Sequence, residues 1–327
     1  MCAAYSWTCA QYATGETLPN KNDRDDLVEM RHPDPEAPVR LASFDQHRSL
    51  LFSVAYRMLG RVADAEDILQ ETFIRWQQAP EEEIRSPRAY LVTIASRLCI
   101  NHLQSARVQR EEYVGQWLPE PIVTDPLSVI RVDESISMAF LVLLERLTPV
   151  ERAVFLLREV FEYEYAEIAA ILGQSEANCR QVFRRSRQHA IAMRPRFKVS
   201  AQKKSELLEK FLRATASGEV NQLIAALADD VVLYSDGGGK AVALPNLVHG
   251  SGSVARAILG SISKLVPSNL VRRMALVNGN PGVIAYLDGK PFSVLTVDGN
   301  AEHVKAVYIV TNPEKLSHLP RLPAAHG

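Results

Sequence analysis

Residues 165–190, YAEIAAILGQSEANCRQVFRRSRQHA, contain two runs of apolar side chains at three- and four-residue spacing, separated by a glycine. Such spacing is typical of helices with one buried face. Gly173 allows a sharp turn between the two runs, and Ser175 is a suitable N-cap for the second helix. The stretch therefore predicts a helix-turn-helix, in which the second helix is the element that enters the major groove of DNA.

The second helix of this motif is predicted to have a polar, mostly basic outer face. Its inner face holds Cys179, Phe183, Ser186 and Ala190, and its arginines point elsewhere. Residues 177–205 contain nine Lys or Arg and no Asp or Glu, although the whole chain has 37 basic and 38 acidic residues. This local excess is expected of a segment that binds phosphate backbones. The alternative is an ordinary solvated basic helix.

Residues 43–109 also show helical spacing and predict a compact helical module. On one of its helices Asp64, Asp67 and Glu71 form an acidic stripe opposite the apolar face. An acidic stripe suits a basic partner surface. A solvated helix face would give the same pattern, and by itself that is the simpler explanation.

The next helix has a polar face of a different kind. Ser86 is a suitable N-cap and is followed by a proline in the first turn. Tyr90, Arg97 and Asn101 lie on the polar side of this helix. An aromatic ring among basic and amide groups suits unstacked, single-stranded bases. A helix surface with a half-buried tyrosine explains the pattern equally well.

Residues 110–132 form a proline-containing linker with the motif WLPEP at residues 117–121. Its two prolines fix an extended backbone that lacks two amide donors. Trp117 is a large apolar side chain that is costly to leave in water. We therefore expect the motif to dock in a groove. The alternative, a stiff spacer, would not need the tryptophan.

After about residue 204 the pattern changes. Two helices precede five strand-like runs that are separated by Asn-Gly, Asp-Gly and Asn-Pro turns, which predicts an α+β domain with an antiparallel sheet packed on helices. Residues 236–240, DGGGK, do not form a nucleotide-binding loop. They lack the leading glycine, a Ser or Thr after Lys240 and a following helix. The glycines are free to adopt positive φ, and a flexible hairpin tip is the alternative.

The composition limits the class of protein. The four cysteines, at positions 2, 9, 99 and 179, have no spacing for zinc or for a disulfide framework, so we expect a cytosolic protein without metal or cofactor. The longest apolar run, residues 138–144, is too short to span a membrane, which needs about 20 residues. Residues 1–40 lack periodicity and are expected to be disordered. Met1 and Met30 are both candidate start residues.

Five motifs in order produce a family resemblance over residues 43–319. RMLGRVADAEDILQETFIRWQ and SPRAYLVTIASRLCINHL resemble region 2 of extracytoplasmic-function (ECF) sigma factors, and residues 147–188 resemble their region 4. WLPEP, DGGGK and NPEKL (residues 312–316) resemble the subgroup with a fused SnoaL-like domain. The resemblance implies two all-α sigma modules followed by a cone-shaped α+β domain. The implied divisions are a leader (1–40), region 2 (41–109), the linker (110–132), region 4 (133–198), the SnoaL-like regulatory domain (205–319) and a tail (320–327).

The resemblance also implies partners and roles. The partners are core RNA polymerase and promoter DNA, and the chain is not expected to be an enzyme or to bind a membrane. Polymerase docking is expected at Asp64, Asp67, Gln70 and Glu71. Capture of the −10 element is expected at Ser86, Arg88, Tyr90, Arg97 and Asn101. Recognition of the −35 element is expected at Ser175, Asn178, Arg180, Gln181, Arg184, Arg185 and Arg187.

A regulatory contact between the linker and the third domain is expected from the three short motifs. It would comprise Trp117, Leu118, Pro119, Glu120 and Pro121, together with Asp236, Gly237, Gly238, Gly239 and Lys240, and with Asn312, Pro313, Glu314, Lys315 and Leu316. Such a contact either restrains the sigma modules or holds them in the arrangement that binds polymerase, and both signs stay open.

An alternative from another class is a SnoaL-like enzyme or small-ligand sensor fused to a DNA-binding module. SnoaL-like enzymes use an acid–base pair in a conical cavity, and Asp236, His249, Tyr286 and His303 are the candidates. No spacing among them specifies such a pair, and fold alone does not give function.

Overall fold

The computed structural model describes residues 37–80, 82, 84–111, 113–124, 136–191, 199–265 and 267–322. Four expected segments lie partly outside this range: most of the leader, the end of the linker, residues 192–198 of the basic segment and the end of the tail. The described chain consists of two helical modules followed by an α+β domain, as the sequence predicts.

The first helical module contains α1 (Ala37–Leu59), α2 (Val62–Gln78) and α3 (Pro87–Glu111). The face predicted to be buried on α2 is buried, including Ala65, Ile68 and Trp76. Gly60 ends α1 with a φ of 74°, a conformation that costs a glycine little. The hydroxyl of Ser86 accepts a hydrogen bond from Ala89 N (3.4 Å), which is the predicted cap of α3.

The second helical module contains α4 (Met138–Leu144), α5 (Pro149–Glu159), α6 (Tyr165–Leu172) and α7 (Glu176–Ile191). The helix-turn-helix prediction is confirmed. Gly173 ends α6 in the left-handed conformation, with a φ of 66°. The hydroxyl of Ser175 caps α7 by accepting a hydrogen bond from Asn178 N (3.2 Å). A capping box of Thr148 and Glu151 begins α5.

The two helical modules share one hydrophobic core, which the sequence analysis does not anticipate. Leu51 and Leu91 of the first module belong to the same buried cluster as Leu144 and Phe155 of the second. A buried arginine, Arg152 of α5, reaches across the junction and donates a hydrogen bond to the carbonyl of Met58, near the end of α1 (2.5 Å). The modules therefore pack as one helical unit.

The third domain contains the helices α8 (Ala201–Ser217), α9 (Val220–Ala226), α10 (Ser251–Leu265) and α11 (Pro313–Leu316). Its strands are β2 (Leu227–Asp236), β3 (Val248–His249), β4 (Val271–Val277), β5 (Asn280–Leu287), β6 (Lys290–Gly299) and β7 (Val304–Val310). The linker adds a short edge strand, β1 (Val123–Thr124), so the sheet has the order β1-β4-β5-β6-β7-β2-β3. The linker is thus part of the sheet, which the sequence does not reveal.

The expectation of an antiparallel sheet is wrong at one position, because β2 and β7 run parallel. The hairpin predictions hold, since Asn278-Gly279 and Asp288-Gly289 have positive φ at both residues, as type I′ turns require. The Asn-Pro pair between these runs, Asn280-Pro281, lies in β5 and not in a turn. Asn312 caps α11, whose first residue is a proline, because its side-chain oxygen accepts a hydrogen bond from Glu314 N.

The two faces of the sheet have different coverings. One face packs on α8, α9 and α10 through a core that includes Phe211, Leu223 and Val254. The other face belongs to a cluster with Leu118 of the linker and Met138 of α4. The third domain therefore uses one face of its sheet to hold the linker and the start of the second helical module.

Candidate nucleic-acid and domain interfaces

The recognition helix α7 exposes the residues predicted to contact the −35 element, namely Ser175, Asn178, Arg180, Gln181, Arg184, Arg185 and Arg187. Three of them also bond within the chain, and the first is Ser175, whose hydroxyl caps α7. Arg180 pairs with Glu176 at 2.5 Å and lies over the ring of Tyr165, and Asn178 donates a hydrogen bond to Gln174. The remaining side chains present a basic outer face to solvent.

The residues of the acidic stripe on α2 differ in their exposure and in their ion pairs. Asp67 and Gln70 are exposed. Asp64 is mostly buried, 3.7 Å from Arg61 and 3.5 Å from His102. Glu71 forms an exposed ion pair with the next turn of the helix, at Arg75 (2.8 Å). The face also exposes the side chain of Ile74, which is 49% accessible.

The surface of α3 predicted to capture the −10 element faces the second helical module. Arg97 donates hydrogen bonds to the carbonyls of Ile171 (2.8 Å) and Ala170 (3.3 Å), at the end of α6. A cation near the last carbonyls of a helix is favourable because these groups carry partial negative charge. The guanidinium of Arg88 lies 5.4 Å from the ring centre of Tyr163.

Three further residues of the predicted −10 surface lie at the same junction or beside it. Asn101 is exposed and, with Arg97, lines a cleft of about 270 Å³ whose other wall belongs to the second module. Tyr90 is partly buried against Trp76, with ring centres 5.9 Å apart. Ser86 is exposed at the start of α3. The α6 end of the helix-turn-helix therefore bonds to Arg97 beside this surface, while Ser86, Arg88, Arg97 and Asn101 remain exposed.

The Asp236 carboxylate joins the third domain to the linker. Asp236 is fully buried. Its Oδ1 accepts a hydrogen bond from the Tyr113 hydroxyl (2.6 Å), and its Oδ2 accepts one from Leu118 N (2.7 Å). Lys315 of α11 supplies the balancing charge at 2.7 Å from Oδ2. Burial, followed by the neighbouring carboxylate, raises the pKa of Tyr113.

Lys315 also binds the linker directly. It is 2% exposed and also donates a hydrogen bond to the carbonyl of Leu118. Its ammonium lies 4.1 Å from the ring centre of Trp117, a cation–π distance. The DGGGK and NPEKL motifs thus meet on the WLPEP motif through one buried ion pair.

The glycines of the DGGGK loop allow the loop backbone to lie close to Asn312 and Tyr113. Gly238 and Gly239 have positive φ, at 60° and 69°, whereas Gly237 does not. A Cβ at Gly238 would lie 2.3 Å from Asn312 Nδ2 and 2.9 Å from the Tyr113 hydroxyl. At the end of the loop, Lys240 pairs with Glu314 at the surface. Pro313 is exposed, and Leu316 is buried against the sheet.

The rest of the WLPEP motif binds the first helical module. Leu118, Pro119, Glu120 and Pro121 are buried, and Trp117 is partly buried. The motif is therefore docked, as its tryptophan and prolines led us to expect. Glu120 N donates a hydrogen bond to the carbonyl of Gly60 (2.7 Å), where the Trp117 ring leaves no room for a Cβ.

The Glu120 carboxylate continues this contact. Its Oε2 accepts a hydrogen bond from Val62 N (3.0 Å) at the start of α2, and its Oε1 lies 2.7 Å from His318 Nδ1. The carbonyl of Glu120 accepts a hydrogen bond from the Tyr56 hydroxyl (2.6 Å), which in turn accepts one from Asn278 (2.7 Å). Glu120 thus bonds the linker both to the first helical module and to the third domain.

Four residues of this interface are absent from the sequence prediction, namely Tyr56, Tyr113, Asn278 and His318. Asn278 was assigned only to a hairpin turn, and its side chain also accepts a hydrogen bond from Ile122 N (3.1 Å). Tyr113 lies four residues before the WLPEP motif, so its position in the linker could have indicated that it takes part in the same contact. Nothing in the local sequence distinguishes Tyr56 from a residue of the helix core.

The four candidates for an acid–base pair do not meet in one site. Asp236 pairs with the last residue of β7, whereas His303 precedes the first residue of that strand. Tyr286 is buried on the face of the sheet that holds the linker. His249 is exposed on the edge strand β3. Within the described ranges, no group of three or more His, Cys, Asp or Glu side chains is placed to hold a metal ion.

Among the helices of the described residues, none combines the length and the apolar character required to cross a membrane.

Two family models match the helical modules. Residues 44–108 match Sigma-70 region 2, and residues 137–189 match Sigma-70, region 4. The chain is 38% identical to the ECF RNA polymerase sigma factor SigJ of Mycobacterium tuberculosis, over 86% of this chain and 95% of SigJ. It is 30% identical to the probable ECF RNA polymerase sigma factor SigI of the same species, over 85% of this chain and 95% of SigI.

The crystal structure of M. tuberculosis SigJ gives a TM-score of 0.70 at 34% identity, over 85% of this chain and 98% of that chain. Its similarity extends through all three parts of the fold, and the sigma domains imply that the partners are core RNA polymerase and promoter DNA. The chain therefore belongs to the ECF RNA polymerase sigma factors, which direct transcription initiation, and it carries a SnoaL-like domain at its C-terminus.

Proposed function

We propose that the SnoaL-like domain regulates this sigma factor in cis by holding region 2, the linker and region 4 in a closed arrangement. In this arrangement the end of α6 in region 4 holds Arg97 of the −10 surface through two hydrogen bonds. The observation that carries the proposal is the Asp236 carboxylate, which is fully buried and accepts a hydrogen bond from the linker at Leu118 N. The linker is thereby fixed to a domain that lies outside both sigma regions.

The third domain bonds to the polypeptide on both sides of the sigma junction. Asn278 reaches Tyr56 of region 2 (2.7 Å), and the sheet contacts Met138 at the start of region 4. Separating regions 2 and 4 therefore requires movement against contacts of the third domain. This connection favours restraint of the sigma regions over the alternative sign, in which the domain holds them ready for polymerase.

We assign the promoter and polymerase contacts to the surfaces predicted from the sequence. Exposed residues of α7, led by Arg184 and Gln181, read the −35 element. Arg88, Arg97 and Asn101 capture the −10 strand once region 4 has moved away. Asp67, Gln70 and Glu71 of α2 meet a basic surface of core polymerase.

We also propose that the chain has no catalytic activity of its own and works in the cytoplasm, where its two partners are found. The scattered positions of Asp236, His249, Tyr286 and His303 support the first part. The resemblance to transcription factors of this family supports both.

Single-round transcription with core polymerase on the gene's own upstream region tests the cis regulation. Asp236→Asn keeps the size of the side chain but removes the charge opposite Lys315, so it should loosen the linker contact and raise transcript yield. Asp230→Asn is the matched control, because that carboxylate is 75% exposed. Equal transcript yield from the wild type and Asp236→Asn, with both proteins folded, would contradict the proposal.

A further inference from the structure

His318 lies two residues beyond α11 and faces the linker with both ring nitrogens. Its Nδ1 is 2.7 Å from Glu120 Oε1, and its Nε2 is 3.0 Å from the carbonyl oxygen of Pro121. Both of these neighbours are hydrogen-bond acceptors. A neutral imidazole has a single N–H donor, whereas an imidazolium has two. The geometry therefore fits the protonated ring, and a neutral ring leaves one of the two contacts unmade.

The Glu120 carboxylate depends on the charge of this ring. Its side chain is 5% exposed, and its other oxygen accepts a hydrogen bond from Val62 N. A buried carboxylate is costly unless it is paired with a cation. Deprotonation of His318 removes the cation that faces it. The free-energy cost of the uncompensated carboxylate then weakens the contact that joins the linker to α2 and to the third domain.

Other charged groups at this cleft keep their charge near neutral pH. Arg61, from the connection before α2, and Glu314, from α11, line the same cleft of about 540 Å³. An arginine stays protonated throughout the physiological range. The hydrogen bond from Lys240 lowers the pKa of Glu314, so this carboxylate stays ionised. His318 is the residue at this contact whose type of side chain changes charge near neutral pH.

The surroundings act on the pKa of His318 in two directions. Burial disfavours the charged ring and lowers the pKa, whereas the hydrogen bond and the negative charge of Glu120, with the Pro121 carbonyl, raise it. The net result is a pKa above the ordinary value of histidine. Solvent reaches the ring, whose side chain is 29% exposed, so the proton can exchange while the contact is formed.

We propose that His318 and Glu120 form a pH-sensitive latch between the SnoaL-like domain and the linker, closed when His318 is protonated. Because docking raises the pKa, the stabilisation is fully present below the undocked pKa and is lost as the pH rises through the docked pKa. Each unit of difference between the two values makes docking of the protonated form about tenfold tighter. The consequence for transcription rests on the cis regulation proposed above, whereas the latch itself does not.

A histidine-selective NMR titration of the full-length protein tests the latch directly. His318 should titrate above about 6.5, the ordinary value, with both ring nitrogens protonated below that midpoint. Glu120→Gln should bring the midpoint down, because it removes the negative charge beside the ring. His249→Gln, which removes an exposed histidine of the same domain, identifies one other resonance and should leave the His318 midpoint unchanged. A midpoint at or below 6.5, or a neutral ring in the docked protein, would overturn the proposal.

Hydrogen exchange at Val62 N–H, which the Glu120 carboxylate holds, gives a second measurement on the same samples. Its protection factor should fall as the pH rises through the His318 midpoint in the wild type. In His318→Gln, which has no ring proton to lose, protection should not change with pH. Protection that is independent of pH in the wild type would also overturn the latch. An intact latch combined with equal transcription by the wild type and Asp236→Asn would instead count against the cis regulation.

Discussion

The two surfaces proposed to read promoter DNA differ in their contacts with the rest of the chain. On α7 the outer face is exposed, with Arg184, Arg185 and Arg187 facing solvent. On α3, Arg97 instead donates hydrogen bonds to carbonyls at the end of α6, and Arg88 lies over Tyr163. The side-chain chemistry of a helix face is local, but tertiary contacts decide whether its side chains are already bonded within the chain. Under the cis regulation proposed above, the surface of region 2 rather than that of region 4 is therefore the restrained one.

The largest expected effect comes from breaking the buried ion pair between Asp236 and Lys315, which carries the cis regulation proposed above. Asp236→Asn leaves Lys315 as a buried charge without its partner, and such losses cost about 3–5 kcal/mol. Denaturant unfolding of the full chain should show this decrease. Adding Lys315→Met should recover part of the loss, because the unpaired charge is then removed as well.

The control for this substitution is Asp230→Asn, which removes an exposed carboxylate 3.8 Å from Lys305. Its stability should change by no more than about 0.5 kcal/mol. If Asp236→Asn were as mild as Asp230→Asn, the buried ion pair would not hold the linker.

A smaller loss of stability is expected from a substitution in the glycine loop, which contacts the same linker network. Gly238→Ala imposes a left-handed alanine, which costs about 1–2 kcal/mol, and places a methyl against Asn312 and Tyr113. Overpacking adds about 1–3 kcal/mol. The thermal or denaturant stability of the variant reports the sum.

Gly218→Ala is the matched control, since Gly218 has a φ of 71° but no atom within 4 Å of an added Cβ. It should show the backbone cost alone. Equal losses for the two variants would mean that Gly238 is needed for its φ and not for close approach to the linker network.

The smallest structural effect is expected on the open surface. Arg184→Ala should leave stability unchanged because the side chain is exposed, and should weaken promoter binding by about 1–3 kcal/mol if the arginine reads a base. Binding of duplex −35 DNA by the holoenzyme measures this. Arg213→Ala, at an exposed arginine of α8, should leave binding unchanged. Similar losses from both variants would indicate general electrostatics instead of base recognition.

The sequence was sufficient for the parts of the fold that depend on local pattern. Gly173 and Ser175 predicted the turn and cap of the helix-turn-helix, and the Asn-Gly and Asp-Gly pairs predicted two hairpins. Trp117 predicted a docked linker for a physical reason, because an exposed indole in an extended segment is unfavourable. Each of these features needs only residues close in sequence.

Features that depend on contacts between distant residues were missed. Tyr56 and Asn278 are 222 residues apart, and neither has a neighbour that reveals the hydrogen bond between them. The parallel pairing of β2 and β7 is set by the route of the chain across the sheet and not by strand composition. The hydrogen bonds from Arg97 to α6 were also missed, because they depend on a core shared by two modules.

The distance between regions 2 and 4 tests most directly whether the SnoaL-like domain holds them closed. Spin labels at the exposed positions Gln78 and Gln188, introduced as cysteines with Cys2→Ser and Cys9→Ser, would report it, because the native Cys99 and Cys179 are buried. The account predicts a single narrow distribution in the wild type, and in Asp236→Asn an added population at longer distances. A distribution in Asp236→Asn that coincides with that of the wild type would contradict it.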